Sequence, residues 1–78
     1  LMSIEQFLEI LARMELQGFI NSDTDSDDLE MIVRALLDLV EADTVQVETA
    51  LVNALKAHIN GGTKEITVIL CKLISSLG

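Results

Sequence analysis

The chain is 78 residues long, half of them apolar, with a formal net charge of −8. That length leaves room for one domain, residues 1–78, and one core. Five basic residues without a cluster or a stacking aromatic exclude a surface that tracks phosphates, so direct nucleic-acid binding is not expected.

The first apolar stripe is Ile4, Phe7, Leu8, Leu11 and Met14, the spacing of one face of a 3.6-residue helix. Ser3 and Gln6 have the spacing of a capping box, in which the hydroxyl accepts a free N–H and the amide reaches back to another. Gly18 supplies a stop because it tolerates a left-handed backbone. Phe19 and Ile20 are expected to hook onto the core.

Residues 21–28, Asn-Ser-Asp-Thr-Asp-Ser-Asp-Asp, are the only low-complexity stretch. Their short polar side chains compete for backbone hydrogen bonds and favour a loop followed by a cap. Asp27 with Glu30, or Ser26, would take the cap roles of the second helix. Its stripe is Leu29, Ile32, Val33, Leu36 and Val40, widened by Leu37 and Leu39. Asp43 or Thr44 opens the third helix, with Val47, Ala50, Leu51, Ala54, Leu55 and Ile59 on its face. The alanines permit close approach of a neighbour. Asn60-Gly61-Gly62 ends it. Thr63 caps the fourth, whose stripe is Ile66, Ile69, Leu70, Leu73 and Leu77. The pattern predicts an all-α fold, a compact bundle of four short helices over about 3–17, 28–42, 44–60 and 63–77. Leu36, Leu51 and Leu70 are expected at its centre.

The longest apolar run is Val68–Cys71, far below the roughly 18–20 residues of a membrane span. No basic segment leads an apolar one, so no secretory signal is expected. Cys71 is the single cysteine and is expected to be an ordinary buried thiol. A reduced, intracellular location, cytoplasmic or nuclear, would suit it.

Charge is unevenly spread. Residues 1–48 hold 12 acids against Arg13 and Arg34, a net of −10, and residues 49–78 hold Glu65 against Lys56, Lys64 and Lys72, a net of +2. Asp23, Asp25, Asp27 and Asp28 can simply solvate a loop and start a helix. They can also steer a basic partner or occupy the basic site of a nucleic-acid-binding protein.

No catalytic constellation accompanies these elements. A calcium-loop frame starting at Asp23 puts Arg34 where a bidentate glutamate is required and Asp28 at the glycine position. One histidine and one cysteine give no zinc set, and a Cys71–His58 pair has no third group to orient it. No cofactor, metal or enzymatic activity is expected.

Asp25-Ser26 followed by Asp27-Asp28-Leu29 resembles the modified serine of acyl carrier proteins, a family that carries a phosphopantetheine arm there. That resemblance implies Ser26 as an attachment point. It departs from the family's Asp-Ser-Leu at Asp27, and capping is the competing role of Ser26. Residues 32–76 resemble an armadillo or HEAT-type helical repeat. They read as a leucine-rich helix, a short acidic turn, Val47-Glu-Thr-Ala50-Leu-Val-Asn-Ala54-Leu55, and a further helix over Ile66–Ser76. The N-terminal helical bundles of some transcription elongation factors are distantly similar. The repeat resemblance implies a groove that binds protein.

The expected function is that of a small acidic, non-catalytic protein–protein interaction or adaptor module that uses an apolar helical face. An acidic inhibitor and a carrier with Ser26 as attachment point are the alternatives. Leu37, Leu39, Val52 and Ile74 lie off the main stripes and are expected to form the contact for a partner or a second copy, oriented by Asp23, Asp25, Asp27 and Asp28. The partner would be another protein with a basic surface, or a homodimer mate. No membrane contact is expected.

Overall fold

Each helix begins where a side chain can satisfy its free N–H groups. The computed structural model describes residues 1–77, with four α-helices in the order α1 (Ile4–Leu16), α2 (Ser26–Leu37), α3 (Thr44–His58) and α4 (Lys64–Leu77). Ser3 caps α1, and Asp43 caps α3. In both, the glutamine at the third helical position (Gln6 or Gln46) returns a hydrogen bond to the N–H of the cap. For α2 the cap is Asp25, whose carboxylate accepts from the N–H groups of Asp27 and Asp28. Ser26, Asp27 and Glu30, expected as caps, are all inside the helix. The longer acid at Asp25 reaches the first turn from an extended backbone, so α2 begins earlier than position 28.

α2 also ends earlier than the sequence pattern suggests. Asp38 closes it, and Leu39 and Val40 donate to Leu36 O and Leu37 O in a tighter turn. The chain then pairs with the N-terminus. Met2 N–H donates to Leu39 O at 2.9 Å, and Glu41 N–H donates to Met2 O. These bonds draw Val40 and Glu41 out of the helical path. Gly18 takes φ +83°, the left-handed stop expected of it. α3 stops at His58 because Gly61 and Gly62 turn their N–H groups back onto His58 O.

α4 lies against both α3 and α2, and α1 packs on α3. The core is Ile4, Phe7 and Leu11 of α1, Leu29 and Val33 of α2, Val47 and Leu51 of α3, Ile66, Ile69, Leu70 and Leu73 of α4, and Ile20 from the α1–α2 connection. The all-α four-helix fold read from the sequence is the fold observed. Its radius of gyration, 11.5 Å, is that of a well-packed chain of this length.

Several side chains depart from the expected faces. Leu51 and Leu70 are fully buried, but Leu36 is only half-buried against the core. Ile32 and Ile59, placed in core stripes, are exposed, Ile59 because it follows the end of α3. Phe19 is 68% exposed, and Ile20 alone makes the hook. Alternation at the turn after Gly18 sends one of two consecutive residues outward. Cys71 is exposed, because the buried stripe of α4 passes through Leu70 and Leu73 and turns Cys71 away.

Candidate functional site

The side of α2 that meets α4 is held by charge. Glu30 accepts two hydrogen bonds from Arg34, at 3.1 and 3.0 Å, and lies 3.3 Å from Lys72 Nζ. Arg34 also donates to Ser76 Oγ at 3.3 Å. The hydrogen bonds from Arg34 and Lys72 hold the Glu30 carboxyl below its ordinary range. Leu29 and Val33 are buried beside this set. The orientation of α2 is therefore fixed from one side by packing and by a four-residue polar staple.

The opposite side of α2 is left exposed, and just beyond the helix Leu39 O accepts the Met2 N–H. Asp27, Met31, Ala35 and Leu39 recur at every fourth position, and all are exposed. Side chains at that spacing stand above one another on a helix, and Leu39 lies two residues past the end of α2, in the tighter turn that follows. Asp28 and Ile32 form the adjoining row, and Asp38 flanks Ala35 from the other side. Met31 is 65% exposed, Ile32 47% and Leu39 45%. The face is thus an apolar strip with acids at both ends. The nearest cations of α2 and α4, Arg34 and Lys72, are drawn to Glu30, and Lys64 lies by Thr24 and Ser26 at the α4 side of the helix start.

Of the residues expected to form a contact surface, Leu39, Asp27 and Asp28 belong to this face. Leu37 and Ile74 are half-buried and packed against the core. Val52 is half-buried on α3, away from the α2 strip in sequence and element. Asp25 is exposed but committed to its cap, and Asp23 lies in the preceding loop, where its N–H bonds Asn21 Oδ1. Met31, Ile32 and Ala35 were not expected here. The signal was present: counting in fours from Asp27 gives Met31 and Ala35, and the acids at 27, 28 and 38 mark the wet side of the helix.

A second cluster ties three elements together. Glu15 Oε2 of α1 accepts the Thr63 N–H at 3.0 Å, while Glu15 Oε1 stands 3.7 Å from His58 Nε2 of α3. His58 Nδ1 is 2.9 Å from Ala54 O and bonds it as the donor. Thr63 in turn accepts from Ile66 N–H as the cap of α4. The third position of α4 is Ile66, which cannot return a bond to its cap as Gln6 and Gln46 do. Glu15 supplies that bond from another helix. Burial pushes the Glu15 carboxyl up, but the Thr63 hydrogen bonds and His58 outweigh it, and the net direction is downward. His58 and Cys71 are thus engaged at different places: His58 with Glu15, and Cys71 in a shallow surface crease with Glu30, Arg34 and Lys72.

Among the described residues, no three His, Cys, Asp or Glu side chains are grouped to hold a metal ion. No helix is long and apolar enough to cross a membrane. No protein-family model matches the chain, and no curated protein or solved structure does so closely enough to bear on its function. The helical-repeat resemblance of residues 32–76 rests on helix pattern alone.

Proposed function

We propose that this protein is a non-catalytic interaction module that recruits another protein through the exposed face of α2. One observation carries the reading: the Asp27–Met31–Ala35–Leu39 row and Ile32 stay in solvent while the rest of the helix is occupied by core packing and by the Glu30 staple. Single exposed apolar residues are ordinary, but several contiguous ones on one preorganised helix are the usual mark of a contact surface. The exposed acids at 23, 25, 27 and 28 favour a second reading, an acidic inhibitor of a basic site.

Photo-methionine at Met31, which keeps the size of the side chain, compared with the same residue at the exposed Ala57 of α3, tests the proposal in extract of the source cells. The module reading expects a discrete protein adduct at Met31 alone. Unlabelled wild-type protein should compete for it, and protein carrying Met31→Ser and Ile32→Ser should not. Equal adducts at Met31 and Ala57, or none, would defeat it. An adduct abolished by moderate salt and indifferent to the Met31 and Ile32 changes would select the acidic inhibitor, because screening weakens exposed charge contacts and leaves apolar burial intact.

A further inference from the structure

Taking the α2 face as the contact surface of the preceding section, we infer that its occupant is a basic amphipathic helix about three turns long, and not a second copy of this chain. Three features of the face select that partner.

The first is shape. From Asp27 to Leu37 the helix spans about 15 Å at helical rise, roughly three turns, with Leu39 in the turn just beyond it. Within it the small Ala35 lies between the larger Met31 and Leu39, with Ile32 alongside. A small residue between large ones is a notch into which a ridge of a second helix can seat. An extended peptide would instead need unpaired backbone groups to pair with, and the middle of a helix has none to offer.

The second is charge. Asp27 and Asp28 stand at one end and Asp38 at the other, all exposed. Arg34, which borders Asp38 one turn earlier on α2, and Lys72 donate to Glu30, and Lys64 lies by the start of the helix, so the strip itself carries the acids Asp27, Asp28 and Asp38 and no cation, with Arg34 and Lys64 at its margins. A partner helix with lysine or arginine flanking an apolar stripe meets both the strip and its ends.

The third excludes self-pairing. A two-fold dimer through this face lays the same patch on itself. In the antiparallel arrangement Asp27 and Asp28 approach Asp38 of the other copy, and in the parallel one they approach each other. Either way like charges face each other over a strip too short to shield them.

Synthetic helical peptides of about fourteen residues test this with the full chain, followed by amide chemical-shift mapping. The probes are a leucine/lysine amphipathic helix, its leucine/glutamate counterpart, and a serine/lysine peptide of equal charge. The leucine/lysine peptide should shift amides of residues 27–39 and bind at least about tenfold more tightly than either control. Met31→Ser/Ile32→Ser/Leu39→Ser should weaken it by about tenfold or more, and Ala35→Lys should do the same by filling the notch with charge. Asp27→Asn/Asp28→Asn/Asp38→Asn should lower affinity severalfold and flatten its salt dependence. All these positions are exposed, so helical circular dichroism should be unchanged. Equal binding of the leucine/glutamate peptide, equal binding of the serine/lysine peptide, absent binding, or concentration-dependent dimerisation lost in the Ala35→Lys variant would each overturn the inference. A protein adduct at Met31 without leucine/lysine binding would sink this inference and leave the module reading standing. Leucine/lysine binding with no adduct would do the reverse.

Discussion

Replacing Glu15 is the sharpest probe of how the fold is closed. Its side chain is about three-quarters buried, and one oxygen takes the N–H that α4 leaves free at Thr63. A hydrogen bond to a charged acceptor contributes about 1.5–3 kcal/mol. Because a quarter of the side chain still meets water, about 1–2 kcal/mol is the reasonable value here. Glu15→Ala should therefore lower stability by that amount, or about 5–10 °C in melting temperature for a domain of this size. Glu15→Gln keeps a carbonyl acceptor for Thr63 but not the charge beside His58, so it should lose about half as much. Urea unfolding followed by circular dichroism reads both. The pH dependence is fixed in sign. The Glu15 carboxyl titrates below its ordinary value of 4.5 in the folded state, so its contribution is complete above that pH and is lost as pH falls through the lower folded value. The gap between wild type and Glu15→Ala should shrink at about pH 3. A Glu15→Ala protein within about 0.5 kcal/mol of wild type at neutral pH would refute the bridge, as would a gap that does not change in acid.

Leu51→Ala and Leu70→Ala should each cost about 2–5 kcal/mol in urea unfolding, and the half-buried Leu36→Ala clearly less. Asp25→Ala should cost about 1 kcal/mol by loss of the α2 cap, while Ser26→Ala should fall within about 0.5 kcal/mol of wild type in the same assay. Gly62→Ala places a methyl group against the ring of His58, with Cγ 2.8 Å away, so it should destabilise the wild type by about 1 kcal/mol as the ring is forced off its position. In a His58→Ala background the ring is gone and only Cβ, 3.0 Å away, remains, so the same change should cost clearly less, and a thermal-melt cycle that shows equal effects in both backgrounds would break the packing argument.

The helix count and most of the core were readable from local rules. Ile66, Ile69, Leu70 and Leu73 keep the 3–4 spacing of one helix face, and all four are buried. The Ser3–Gln6 capping box follows from spacing because both partners lie within one turn, and the Asp43–Gln46 box, of the same spacing, goes beyond the expectation that Asp43 or Thr44 opens α3. α2 resisted the same treatment because apolar residues surround it. Residues 31–33, 35–37, 39 and 40 offer more than one stripe, and only the tertiary contacts decide that Val33 faces inward and Ile32 outward. Its end was illegible for a related reason: the bond from Met2 to Leu39 O comes from the other end of the α1–α2 unit and leaves no local trace. Cys71 was misjudged through its neighbours, since sitting beside Leu70 places a residue about 100° away on a helix, enough to leave the core. The contact between Glu15 and Thr63 joins residues 48 positions apart and has no pattern signature at all.

The energetics of the α2 face explain why it can exist and what it can do. Full burial of a side chain such as methionine, isoleucine or leucine contributes about 1.5–3 kcal/mol. Met31, Ile32 and Leu39 are each roughly half exposed, so covering all three would contribute on the order of 2–4 kcal/mol. Leaving them in water subtracts nothing from folding that another residue must restore, since the buried set of α2, Leu29 and Val33, already seats the helix on α4. Polar replacement of Met31 should accordingly leave stability within about 0.5 kcal/mol of wild type, and that of Ile32 or Leu39, each more than half buried, should cost on the order of 1 kcal/mol. The same figure is smaller than the roughly 4–15 kcal/mol of lost freedom that association must overcome. The strip alone therefore cannot hold a partner. A bound helix has to add apolar area of its own on Ala35 and pair its cations with Asp27, Asp28 and Asp38 at the two ends. Because those end contacts are exposed, they set orientation and encounter rate more than residence time. On the proposed reading, a surface built this way would favour reversible recruitment, with a contact that forms quickly and ends without unfolding either partner.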